Sequence, residues 1–286
     1  MKRLLALLVL VSACSFGARP VEAASLSLGF KAGDHYSARI HLVMDLTTEF
    51  GGTARPIRGD ITINQDTKVV SVDADGTATL QVSAGPPSGT INGVTLPAGA
   101  PSSVTLRVSP DGRVTGAAGI GVFGAGPATG TVSAGDPFLP PLPGHKVKPG
   151  DAWQSAYDVP ITAGSGKIHL AATSRYLRNE GALAVIQTTS TTTLDFVLDL
   201  KKLLEATGQP TRNLPPGSNP TITYKGTVGA EQTSWLDTKL RRVSKATVKQ
   251  RVDLVVTLGG GPGQVPTDAA GPIHVAGTQT VDLNIT

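Results

Sequence analysis

The sequence predicts a mainly β protein: two related antiparallel modules, compatible with one continuous curved sheet or an open barrel, and one inserted helix near residues 196–206. Three observations predict it. The first is composition: 34 Gly and 21 Pro stand among 286 residues, while aromatic residues make up only 4%. So many turn formers, set among stretches rich in Val, Thr and Ala, favour many strands over helical bundles. The second is apolar–polar alternation along most of the chain, the period of a half-buried strand. The third is a repeat. Phe30-Lys31-Ala32-Gly33-Asp34-His35-Tyr36 returns as Val147-Lys148-Pro149-Gly150-Asp151-Ala152-Trp153, a spacing of 117 residues. The shared apolar-Lys-x-Gly-Asp-x-aromatic pattern is a turn that delivers an aromatic residue into the start of a strand. Glycine supplies its backbone freedom and Asp its local hydrogen bonding. One recurrence at that distance implies a duplicated module.

The chain begins with a leader pattern. Met1-Lys2-Arg3 is basic, and Leu4–Val11 is an apolar run of eight residues. A span needs roughly 20 residues, so this is a signal segment and not a membrane helix. Two exits compete. Val11-Ser12-Ala13-Cys14 resembles a lipobox, which would end the leader at residue 13 and make Cys14 a lipid attachment site. Val21-Glu22-Ala23 fits ordinary signal cleavage, which would remove residues 1–23. Either exit makes the protein extracytoplasmic: periplasmic, surface-located or secreted, with membrane contact only through an N-terminal lipid anchor. Cys14 is the sole cysteine. No disulfide can therefore form within the chain, and stability rests on core burial and strand pairing.

Residues 24–125 form the first module. Ile40, Leu42, Met44 and Leu46 alternate with Arg39, His41 and Asp45, and Val43 breaks the pattern. Gly51-Gly52 turns this strand into a return through Ile57, Gly59, Ile61 and Ile63. Asp73-Ala74-Asp75-Gly76 reads as a hairpin turn ahead of Ala78, Leu80 and Val82. After the Pro86-Pro87 break, Val104, Leu106 and Val108 turn at Pro110-Asp111-Gly112 into Arg113-Val114. A Gly/Pro-rich linker covers 126–145. The second module, 146–286, echoes the first: Asn179-Glu180-Gly181 answers the Asp-Gly turn, and the Trp235–Val243 stretch answers Leu106–Val114. The predicted helix has Phe196, Leu200, Leu203 and Leu204 on one face, with Gly208 as its stop. Those four residues are the candidate ligand-lining set.

Chemical motifs are weak throughout. Gly119-Ile120-Gly121-Val122-Phe123-Gly124 matches G-x-G-x-x-G but runs into further glycine where a dinucleotide site needs a helix. Asp73-x-Asp75-Gly76 opens like a calcium loop, yet position 84 is Ala where the closing Glu belongs. Arg58-Gly59-Asp60 lies inside a strand pattern. The five histidines, His35, His41, His145, His169 and His274, lack zinc-type spacing, and Ser165 lacks the strand that a nucleophile elbow requires. Trp153, Trp235, Tyr36 and Tyr176 are either core anchors or cavity walls. No catalytic, metal or cofactor site is therefore assigned. Formal net charge is +4, and removing residues 1–23 takes three positive charges and one negative, leaving +2. With no basic run interleaved with aromatics, nucleic acid is excluded as a partner.

The repeated turn, with Leu142-Pro143-Gly144-His145-Lys146-Val147 just before its second copy, is similar to a large family of uncharacterised bacterial envelope proteins across residues 26–245. The overall build also resembles the half-barrel carriers of the lipoprotein-sorting and mycobacterial lipoprotein type. That architectural resemblance implies a curved sheet and helix shielding an apolar ligand. The expectation is a non-catalytic protein binding an apolar or amphiphilic, lipid-like ligand between sheet and helix. Its rivals are a structural or protein-interaction module of the envelope, with an exposed apolar patch at Phe123 or Phe138–Pro143, and a hydrolase with no recognisable motif.

Overall fold

Long alternating stretches become long strands. The computed structural model describes residues 22–97, 102–118, 139–160, 164–206, 220–259 and 271–285. After a short β1 (Ala24–Ser25), the first Lys-x-Gly-Asp turn opens β2 (His35–Phe50), and Gly51-Gly52 returns it as β3 (Thr53–Val72). Both turn glycines have positive φ, 58° and 75°, as a two-residue hairpin requires. The module continues through β4 (Ala78–Ala84), β5 (Ser88–Ile91), β6 (Val94–Thr95), β7 (Ser102–Val108) and β8 (Val114–Ala118). Then come β9 (Lys146–Val147), β10 (Ala152–Pro160), β11 (Gly164–Glu180), β12 (Leu183–Asp199), helix α1 (Leu200–Ala206), β13 (Thr221–Asp237), β14 (Arg242–Gly259) and β15 (Ile273–Ile285).

β1 and β9 form a two-stranded sheet of their own. The other thirteen strands make one antiparallel sheet in the order β10-β11-β12-β13-β14-β15-β2-β3-β4-β7-β8, with β5 and β6 beside β3. β15 pairs with β2 from Ile285↔Ala38 to His274↔Glu49, which joins the two modules edge to edge. The sheet curls without closing into a barrel. Its end strands β10 and β8 approach within 8 Å between Cα atoms but share no hydrogen-bonded register.

The two modules are related down to individual hydrogen bonds. In the first, the Gly33 N–H donates to Val69 O (2.9 Å), the Val69 N–H to Asp34 O (2.9 Å) and the Asp34 N–H to Lys31 O (3.0 Å). In the second, Gly150 donates to Tyr176 O (2.7 Å), Tyr176 to Asp151 O (3.0 Å) and Asp151 to Lys148 O (3.0 Å). A β-bulge follows each partner, between Val69 and Ser71 and between Tyr176 and Arg178. A second pair of bulges, Arg107/Val108 and Trp235/Leu236, stands one hairpin further on. Bulges increase local twist, so repeating them bends both halves in the same sense.

One face of this sheet is the core. Ala38, Ile40, Leu42, Met44 and Leu46 of β2 are buried, and they join one cluster with residues of both modules, among them Ile61, Leu80, Ile186, Phe196, Leu254 and Leu283. The opposite face is polar and exposed. Val43, the exception in the pattern, lies on it at 44% exposure. Gly277 marks a close backbone approach: its φ is +148°, and a Cβ there would stand 2.3 Å from Asp45 O. Only glycine fits that approach.

The helix is shorter than the periodicity predicts. Asp199 accepts the Lys202 N–H at 3.0 Å and caps α1, so helical structure starts at Leu200. Phe196 instead pairs with Tyr224 across β12 and β13. Leu194, Phe196 and Leu198 also satisfy a period of two, and a seventeen-residue ladder outweighs one amphipathic turn.

Candidate functional site

The described residues converge on a cavity at the sheet end where β2 starts. Residues 24–30 cross that end as a strap. Leu26, Leu28 and Phe30 alternate with small residues, so they turn inward together, and Leu26 and Leu28 are buried. The strap bridges equivalent turns of the two modules: the Leu28 N–H donates to Pro110 O (2.7 Å) and the Gly29 N–H to Arg241 O (2.8 Å). Arg241 also holds it from the side, its Nη2 donating to Ser27 Oγ and Leu28 O, both at 2.9 Å. A Cβ on Gly29 would lie 3.0 Å from Arg241 Cβ, so glycine lets the strap pass this close. Arg241 itself has φ +53°, a strained conformation for a residue with a side chain.

Segment 139–147 covers the neighbouring ground. Leu142 donates to Asp111 O (2.8 Å), and the Trp153 indole N–H donates to Pro141 O (2.9 Å). Residues 140–143 are buried and Leu139 is partly so. This overturns the expectation of an exposed apolar patch at 138–143 over its described residues; Phe123 and Phe138 lie outside them.

Beneath the strap is a cavity of about 40 Å³. Leu28, Phe30 and Leu139 line it on the strap side; Tyr36, Ala38, Leu80, Val82, Val243, Leu283 and Ile285 form largely apolar walls; the exposed Arg242 completes the lining. Besides Arg242 and the Tyr36 hydroxyl, two polar side chains interrupt the apolar lining. Thr67 and Gln65 occupy inward positions of β3, and Gln65 is 5% exposed. Its Nε2 reaches Thr67 Oγ1 at only 3.5 Å, and its Oε1 accepts no hydrogen bond among the described residues. Gln279 Oε1, also on the inner face, is the second such oxygen. Sequence reasoning missed both. The signal was there: each glutamine sits in the apolar register of its strand, Gln65 between Ile63 and Thr67 and Gln279 between Gly277 and Val281.

The residues predicted to line a ligand are not gathered in this way. Phe196 is 1% exposed and stacks on Tyr224 at 5.0 Å, a core contact. Leu200 and Leu204 are half-buried on α1, whose contacts are mainly with β12. The side chain of Leu203 and the residues Cys14 and Gly119–Gly124 lie outside the described set. Of the four aromatics, Trp153 and Tyr176 are core and Tyr36 lines the cavity. Trp235 lies on the outer face, donating to Glu180 Oε2 (2.8 Å) beneath the Lys245 ammonium.

Other candidate groups are surface features. His41–Asp60 (2.9 Å), His169–Asp158 (2.6 Å) and His274–Asp253 (2.8 Å) are cross-strand pairs on the exposed outer face. Hydrogen bonds from Lys167 and then His169 hold the Asp158 carboxyl below its ordinary range. Asp75 is lowered chiefly by the backbone N–H of Thr77, as a hairpin-turn carboxylate should be. Arg58 and Asp60 pair with Asp45 and His41 inside the sheet, so the Arg-Gly-Asp tripeptide is strand structure. Among the described residues no group of three His, Cys, Asp or Glu could hold a metal ion, and no helix is long and apolar enough to cross a membrane. Set beside known proteins, the chain matches no protein-family model and no curated protein.

Proposed function

We propose that this protein is a non-catalytic, extracytoplasmic binder that holds an apolar or amphiphilic ligand against the inner face of its curved sheet. The observation that carries the reading is the largely apolar cavity under the strap, with a buried glutamine in its wall whose Oε1 finds no donor among the described residues. Apolar walls with a few convergent polar groups are the ordinary make-up of a small-molecule site. The leader pattern of residues 1–23 supports the location. Size limits the present state. A water needs roughly 10–15 Å³ of such space, so 40 Å³ takes about three waters and no acyl chain. Binding therefore requires Leu28 and Phe30 to yield, and a strap outside the main sheet is the part able to do so.

Native mass spectrometry of the full chain, purified without detergent, with solvent extraction of the same sample, tests this reading. It expects a bound mass and a recovered amphiphile. A clean unliganded mass in every preparation overturns it. The second reading, an interaction module, draws on the outer edges of β8 and β10, which pair with no further strand among the described residues and could accept a partner's strand. That reading expects the clean mass.

A further inference from the structure

Resting on the ligand-binding reading, we infer that the site under the strap takes a single-chain amphiphile with a neutral hydroxyl head, and that Arg241 is the latch controlling access to it. The head is deduced from Gln65. As the side chain stands, Oε1 lacks a donor among the described residues; turned over, the amide would offer Oε1 to Thr67 and leave Nε2 without an acceptor among them. Either way one half of a buried amide is unmatched. A hydroxyl both donates and accepts, so it completes Gln65 in either orientation. A carboxylate only accepts, so it cannot supply the donor that Gln65 Oε1 lacks, and the one cation of the lining, Arg242, belongs to an exposed residue. Burying such an anion away from a partner is strongly unfavourable.

The tail is deduced from what occupies its path. Leu28 and Phe30 line the strap side of the cavity, so an alkyl chain entering from that side takes their place against Leu80, Val82, Leu283 and Ile285. Alongside the Pro110 carbonyl and the β1–β9 pairing, one strained residue holds the strap over that path. Arg241 contributes a carbonyl and two guanidinium hydrogen bonds to consecutive strap residues, from a backbone conformation that costs energy to keep. Strain concentrated at a clamp is what a releasable contact needs. A closed strap also weakens apparent affinity by the fraction of time it is open.

The test is isothermal titration calorimetry of the full chain with 1-decanol and, separately, with decanoate. 1-Decanol is expected to bind, with decanoate at least about tenfold weaker. Gln65→Leu should weaken 1-decanol about tenfold by removing the head's partner. Arg241→Gly keeps the positive φ and the carbonyl but removes the two guanidinium hydrogen bonds, and should tighten 1-decanol about tenfold. Thr67→Val, with a weakening in the same direction, serves where Gln65→Leu fails to fold by circular dichroism. Unchanged 1-decanol affinity in Gln65→Leu or Arg241→Gly, or decanoate binding as well as 1-decanol, overturns the inference. If native mass spectrometry still recovers an amphiphile from Gln65→Leu at the wild-type level, this site falls and the broader binding reading stands. A clean mass from the wild type removes both.

Discussion

Gly277 illustrates how a single residue decides how closely two strands of this sheet can pair. Its φ of +148° and the 2.3 Å that would separate an added Cβ from Asp45 O leave no room for a side chain. Gly277→Ala should therefore cost about 2–4 kcal/mol in urea denaturation, the range for forcing a side chain into a closed backbone approach. Gly144, where an added Cβ meets nothing within 4 Å, is the control, with an expected change within about 0.5 kcal/mol on Ala substitution. Equal effects at the two positions would refute the argument. At the same scale, the inward glutamines were legible as positions and not as a site. Alternation puts Gln65 on the core face; whether a neighbour satisfies it depends on side chains from β3, the strap and β15 that lie far apart in sequence.

Among the elements, the strands were legible and the helix only partly. Gly51-Gly52, Asp75-Gly76 and Glu180-Gly181 each turn where expected, because a hairpin turn is a local event set by a few residues. The 196–206 segment carries two periods at once, and local preference could not choose between them. Partnership with β13 chose. This has a measurable consequence. Phe196→Ala should cost about 3–5 kcal/mol, as for a fully buried aromatic, whereas Leu204→Ala on the short helix should cost under about 1.5 kcal/mol. Comparable losses would mean that the helix, and not the β12–β13 ladder, anchors this region.

Over the whole molecule, the important contact is β15 against β2. It converts two meanders into one sheet with one core, and at 286 residues that core is near the upper size for a single hydrophobic interior, roughly 250–300 residues. A shared core makes the halves unfold together. Calorimetry should accordingly find one transition with the calorimetric and van't Hoff enthalpies in agreement. Two resolved transitions, one for each module, would contradict this.

Strand content, the repeated turn and the relation between the modules were determined by the sequence itself, because alternation and Gly-Asp turn chemistry act over a few neighbouring residues. Tertiary structure alone decided that β15 pairs with β2, that Phe196 belongs to the sheet, and that a strap held by Arg241 lies over a cavity lined by Gln65. Those outcomes depend on residues such as Ser27 and Arg241, or Ala38 and Ile285, more than two hundred positions apart. No local period encodes them. They follow from which surfaces remain apolar once the strands have formed, and that is settled only when the sheet curls and buries one face against itself.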